Sequence, residues 1–180
     1  KVIDRKVREM SVKSDIFPIS VKSEALRDYD GIILSGGPGS VWAEQALRYD
    51  EGLLELGLPI LGICYGMQLI TQHFGGKVVP GLKTEYGETV INLDLGCPLF
   101  AGLQAKERVF MSHGDTVSKL ADGFKVVGRS GAVTAAIYNE ALKIYGVQFH
   151  PEVDLTVHGK EMLANFLKNI CGLKGNYMLE

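Results

Sequence analysis

Two apolar runs of strand length, DGIIL at 30–34 and LPILGIC at 58–64, are each followed by a glycine-bearing turn and then by helical spacing. Runs without polar interruption fit strands covered on both faces, the situation of a parallel sheet with helices on either side. The spacing predicts a helix in VWAEQALRYDEGLLEL (41–56) after the first run. After the second it predicts one in YGMQLITQHF (65–74), stopped by Gly75 and Gly76. Val2, Ile3, Val7 and Met10 keep roughly helical spacing at the start, and GKEMLANFLKNI (159–170) places Met162, Leu163, Phe166, Leu167 and Ile170 on one face before Gly172. Between about 78 and 149 short strands predominate: TVINL, RVFMS, FKVVGRS, VTAAIY and KIYGVQF. The expected fold is α/β, an open, mostly parallel twisted sheet flanked by helices with an additional small antiparallel portion.

Composition narrows the function. At 180 residues the chain can bury a real core without metal or disulfide staples. A formal charge of −2, with Lys and Arg scattered and no basic cluster interleaved with aromatics, argues against nucleic-acid binding. No apolar run reaches the roughly 18 residues of a membrane span and no signal peptide opens the chain, so the expected compartment is the cytosol. Cys64, Cys97 and Cys171 are far apart and form no C-x-x-C pair, which argues against disulfides and against a metal site.

Three stretches carry chemistry. In GICYGMQ (62–68), strand, then G-x-C-x-G, then helix is the cysteine form of a nucleophile elbow, with Gly62 and Gly66 allowing the turn to close. A helix N-terminus favours a thiolate there. The same residues fit an inert core cysteine, and the elbow alone does not choose between the two. In YGVQFHPEV (145–153), an extended segment puts His150 and Glu152 on one side, and Pro151 keeps His150 out of the α region. Glu152 can then orient the imidazole while the other ring nitrogen faces a thiol, which makes Cys64, His150 and Glu152 a nucleophile, base and orienter. In LSGGPGS (34–40) the G-K-[S/T] ending of a phosphate loop is missing; its backbone N–H groups fit either part of an oxyanion hole, with the second donor at Tyr65, or a plain tight turn.

SGGPGS, GICYGMQ and FHPE, in that order, resemble the three signatures of the class I, triad-type glutamine amidotransferases, and the likeness runs through nearly all of the chain. Within the family, ILSGGPGSV, HGDTV (113–117) and QFHPEVDLTVHGKEML are most similar to the amidotransferase domain of the GMP synthases. The resemblance implies Cys64 as nucleophile, His150 as general acid and base, Glu152 as orienter, and the backbone N–H groups of Gly37 and Tyr65 as oxyanion donors. It also implies Gln68, Gly114 and Asp115 as substrate-binding positions, and a loop at KTEYGET (83–89) in which Lys83 and Glu85 lie near the site and the partner domain. Gln68 reads equally as an exposed helix residue and HGD as an ordinary turn.

The implied reaction is hydrolysis of glutamine to glutamate and ammonia, the ammonia aminating XMP in an ATP-dependent synthetase domain. ATP and magnesium belong to that domain, so no cofactor is expected in this chain. Residues 1–172 are expected to form an amidotransferase domain lacking its first strand, and 173–180 the start of a linker toward the absent synthetase domain. Two other readings are a stand-alone cysteine hydrolase of related architecture, such as γ-glutamyl hydrolase or the DJ-1/PfpI group, and a catalytically idle module that binds a partner. The placement of HPE argues against the DJ-1/PfpI group, and three intact triad residues argue against idleness.

Overall fold

The computed structural model describes residues 1–35 and 48–176, with residues 82–85 described by their backbone alone. Among them, seven strands form one sheet in the order β1-β2-β7-β6-β5-β3-β4. The apolar runs give β1 (Ile32–Ser35), β2 (Ile60–Ile63) and β7 (Ile144–Val147), which pair in parallel. β2 and β7 are buried at every residue, as two-sided cover requires. From β7 outward every pairing is antiparallel, through β6 (Val133–Asn139), β5 (Lys125–Ser130), β3 (Lys77–Leu93) and β4 (Lys106–Lys119). The α/β class and the open sheet hold, but the antiparallel portion is the larger part, where a small addition to a mostly parallel sheet was expected.

Helices cover both faces. α2 (Tyr65–His73) presents Met67 and Ile70 to one face, where they pack with Ile60, Ile137 and Ile144. Both side chains are fully buried, and each removal from water contributes about 2 kcal/mol. On the other face lie α1 (Val2–Glu9) and α3 (Gly159–Ala164), the latter continued by a π-helical turn at Asn165–Ile170. Val7, Met162, Leu163 and Phe166 pack there with Leu61, Ile63, Tyr145 and Val147.

The helix expected over 41–56 is not found in its described part. Residues 48–50 are irregular and a 3-10 turn spans Glu51–Glu55, because the Asp50 carboxylate accepts from the backbone N–H of Gly52 at 3.0 Å and of Ser23 at 2.8 Å. A side chain that satisfies the turn's own N–H groups starts a new element in place of extending an old one. Neither KTEYGET nor HGD is a loop or turn: the first lies within β3 and the second within β4, two long strands paired as a ribbon.

The ribbon folds back across the sheet. Phe149, just past β7, makes an antiparallel bridge to Met111 on β4, and the His150 backbone N–H donates to the Phe110 carbonyl at 3.0 Å. The middle of β4 is thereby held over the C-terminal ends of β2 and β7, where open α/β sheets place their sites.

Candidate active site

Cys64 follows β2 directly and caps α2. Its backbone is left-handed, with φ 56° and ψ −107°, a conformation costly for a residue with a side chain and concentrated at functional sites. Its N–H donates to the Val147 carbonyl at 2.7 Å, tying the elbow to the end of the neighbouring parallel strand. Gly66 is required by close approach: a Cβ there would stand 2.1 Å from the Leu34 carbonyl oxygen on β1. A Cβ at Gly62 would meet the Gly66 backbone at 2.7 Å. The elbow thus forms because two positions without side chains let strand, turn and helix touch.

His150 arrives on the neighbouring strand's extension. Its Nδ1 lies 3.2 Å from Glu152 Oε2, and the ring is paired with Cys64. Pro151 and Glu152 form a turn, so the two side chains meet around a bend where the sequence predicted an extended segment. The hydrogen bond to Cys64, then that to Glu152, raise the His150 pKa to about 10 against the opposing effect of burial. Glu152 is 8% exposed, and its Oε1 has no hydrogen-bond partner among the described residues.

The other predicted residues fall at varied distances from this centre. Tyr65 opens α2, where first-turn N–H groups precede any intrahelical carbonyl, and its ring is buried with Leu69 and Val78. Gln68 is buried, and its Nε2 donates to Gln148 Oε1 at 3.2 Å. Gly114 and Asp115 follow Ser112, whose carbonyl oxygen lies 3.6 Å from Cys64 Sγ. The Asp115 carbonyl pairs with His113 Nδ1 at 2.6 Å. Gly37 lies outside the described residues, as do the side chains of Lys83 and Glu85. Burial pushes the thiols of Cys97 and Cys171 up to about 11 and about 12, which leaves both as inert thiols. A cavity of about 530 Å³ lies between α1 and β1 and touches none of Cys64, His150 and Glu152.

Sequence reasoning missed three participants. Gln148 is fully buried with Nε2 3.5 Å from Cys64 Sγ, and the i, i+2 rule that pairs His150 with Glu152 also sets Gln148 on that side. The Thr156 hydroxyl donates to the His150 carbonyl at 2.6 Å and accepts from the Phe110 N–H at 2.9 Å, clamping the histidine segment to β4. The ring of Phe110 lies 6.1 Å from that of His150. Neither Phe110 nor Thr156 had a local signal, since both act across the β4 contact.

Comparison with known proteins shows the family. The sequence matches the family described as Glutamine amidotransferase class-I over residues 1–170. The chain belongs to that family. Among its relatives, GMP synthase [glutamine-hydrolyzing] of Dictyostelium discoideum is 48% identical over 197 residues, spanning 100% of this chain and 27% of that protein. The same enzyme of Listeria monocytogenes is 46% identical over 183 residues, spanning 100% of this chain and 35% of the relative. This amidotransferase chain therefore corresponds to about a third or less of those proteins. A solved structure from Thermoplasma acidophilum, provisionally assigned to a GMP synthase, superposes with a TM-score of 0.84 at 32% identity over 95% of this chain and 87% of its own. A glutamine amidotransferase from Thermotoga maritima, at 23% identity and a TM-score of 0.71 over 97% and 80%, shares the fold. Among the described residues of the amidotransferase, no helix is long and apolar enough to cross a membrane.

The Glu152 carboxylate helps to raise the His150 pKa, which gives a pH prediction. Glu152→Gln keeps the shape and loses the charge, so the His150 pKa falls and the alkaline limb of kcat/KM, set by loss of the imidazolium proton, moves to lower pH. Activity is expected to fall less than in His150→Ala, which removes the candidate acid itself. The check is a pH–rate profile of the three proteins. An unmoved limb, or equal rates in Glu152→Gln and the parent, refutes the role given to Glu152.

Proposed function

We propose that this chain hydrolyses glutamine through a Cys64–His150–Glu152 triad and supplies the ammonia to a synthetase unit that aminates XMP to GMP. The observation that carries the reading is the pairing of an elbow cysteine with an imidazole whose Nδ1 meets a buried carboxylate.

Each step follows from that arrangement. The Cys64 sulfur attacks the side-chain amide carbon, forming C–S while the carbonyl electrons move to oxygen. The oxyanion is assigned to the backbone N–H groups of Tyr65 and Gly37. His150 passes its proton to the nitrogen, the C–N bond breaks, ammonia departs and a γ-glutamyl thioester remains. Water then loses a proton to His150 and attacks the thioester; the C–S bond breaks and glutamate leaves. Gln68, Gly114 and Asp115 are assigned to the amino-acid end of the substrate. Ser112, placed against the sulfur, brings Gly114 and Asp115 to within three residues of it.

The identity to GMP synthases supports the destination of the ammonia, and the small share of those proteins that the chain spans supports a fused or separate synthetase unit that binds ATP and magnesium. The reading places the work in the cytosol and involves neither nucleic acid nor membrane. Hydrolysis without a waiting acceptor wastes glutamine, so the unit is expected to favour the competent arrangement of the site. Ammonia release by the chain alone is then feeble and rises on the order of a hundredfold when a synthetase unit carrying XMP and ATP is added. Full activity alone, unchanged by that unit, overturns the coupling and favours a stand-alone hydrolase, which γ-glutamyl peptides as substrates then test.

A further inference from the structure

Gln148 is fully buried, and both ends of its amide are engaged. Its Oε1 accepts from Gln68 Nε2 at 3.2 Å, and its Nε2 donates to Cys64 Sγ at 3.5 Å. Its backbone is fixed too, the N–H donating to the Ala135 carbonyl on β6 at 2.8 Å. Gln68 occupies the acceptor end and so turns the donor end toward sulfur.

The sulfur has a second polar neighbour of opposite kind, the Ser112 carbonyl oxygen at 3.6 Å. A thiol needs an acceptor and a thiolate needs donors. Ser112 suits the first state and Gln148 the second. His150 is also paired with the sulfur, but the proposed reaction requires that ring to deliver its proton to the departing nitrogen and then to take one from water. A donor held at both ends does not move during either task.

We propose that Gln148 is a catalytic residue that hydrogen-bonds the Cys64 sulfur while it carries charge, both as the attacking thiolate and as the thiolate expelled from the thioester, and that Gln68 positions it. The proposal rests on Cys64 being the nucleophile of the proposed function. It adds a fixed donor that the triad lacks, and gives buried Gln68 a task in the resting chain.

The test reads the sulfur without glutamine. Iodoacetamide alkylation of Cys64 at neutral pH is followed by mass spectrometry of the Cys64 peptide in the whole chain and in Gln148→Leu, Gln148→Glu and Gln68→Leu, with thermal melts to establish folding. Gln148→Leu loses one hydrogen bond to a charged atom and slows alkylation about tenfold. Gln148→Glu keeps the shape and the acceptor for Gln68 but sets a carboxylate against the sulfur, and slows it further. Gln68→Leu, which leaves the donor in place but unheld, slows it by a smaller factor, about threefold. Should Gln148→Leu fail to fold, the isosteric Gln148→Glu carries the test. Alkylation within twofold of the parent in a folded Gln148 variant overturns the proposal. Glutaminase loss with unchanged alkylation also overturns it, by assigning Gln148 to substrate handling. Because alkylation does not depend on glutamine turnover, failure here is distinct from failure of the glutaminase reading, which Cys64→Ala decides.

Discussion

Cys64→Ala abolishes ammonia release from glutamine, a loss on the order of 10⁴-fold or more, and leaves the fold intact. The size follows from the proposed reaction: without the Cys64 sulfur no thioester can form, and the single difficult displacement is no longer divided into two easier ones. The substitution removes one partly buried atom, and the elbow's backbone bonds, Cys64 N–H to Val147 and Gln68 N–H to the Cys64 carbonyl at 3.2 Å, do not involve it. Labelling by a γ-electrophilic glutamine analogue such as diazo-oxo-norleucine disappears with it. Burial holds Cys97 and Cys171 as thiols, so neither takes over the label. Ammonia assays and mass spectrometry of the labelled peptides check both statements. Persistent labelling, or its transfer to Cys97 or Cys171, refutes the triad.

The largest effect on stability is expected from Gly66→Ala. An added Cβ meets the Leu34 carbonyl oxygen at 2.1 Å and the Leu34 carbonyl carbon at 2.9 Å. Both are backbone atoms of β1, which its parallel pairing to β2 from Ile32 to Ser35 holds in place, so no side chain can swing aside. Relief requires α2 to lift from the sheet, separating Met67 and Ile70 from Ile60 and Ile137. Overpacking of this kind costs about 3 kcal/mol, and the lift also displaces Cys64 from His150. Thermal denaturation is expected to show a melting point lowered by roughly 8 °C or more for a domain of this size. Glutamine hydrolysis falls well beyond what the melting curve explains. A variant that melts with the parent and keeps its activity shows that the elbow does not depend on this contact.

What was legible in the sequence was local. The apolar cores of the runs, Ile32–Leu34 and Ile60–Ile63, survive as a pattern without any partner in view, β2 being buried at every residue because its strand is covered on both faces. The elbow was legible because sterics act over a few residues: Gly62 and Gly66 flank Cys64 at the spacing that lets strand and helix touch. His150 and Glu152 were legible as a pair two residues apart, although a bend and not an extended segment brings them together.

Tertiary structure decided the rest. Of β3 only its end, TVINL, was legible; the rest was hidden because Pro80, Gly81 and Gly87 interrupt it and its polar middle reads as solvent-facing loop, and in the ribbon part of that strand does face solvent, Tyr86 being 79% exposed. The helix expected over 41–56 gave way, from residue 48 on, to a 3-10 turn because Asp50 found its partner in Ser23, 27 residues away. The curl that sets Ser112 against the sulfur and clamps His150 through Phe110 and Thr156 joins segments about 40 or more residues apart. Periodicity reports which face of a segment is covered, and glycine reports where chains come close. Neither names the segment that does the covering, because that choice is made by the summed packing of the whole sheet, so the candidate triad could be read from the sequence and the donors and clamps around it could not.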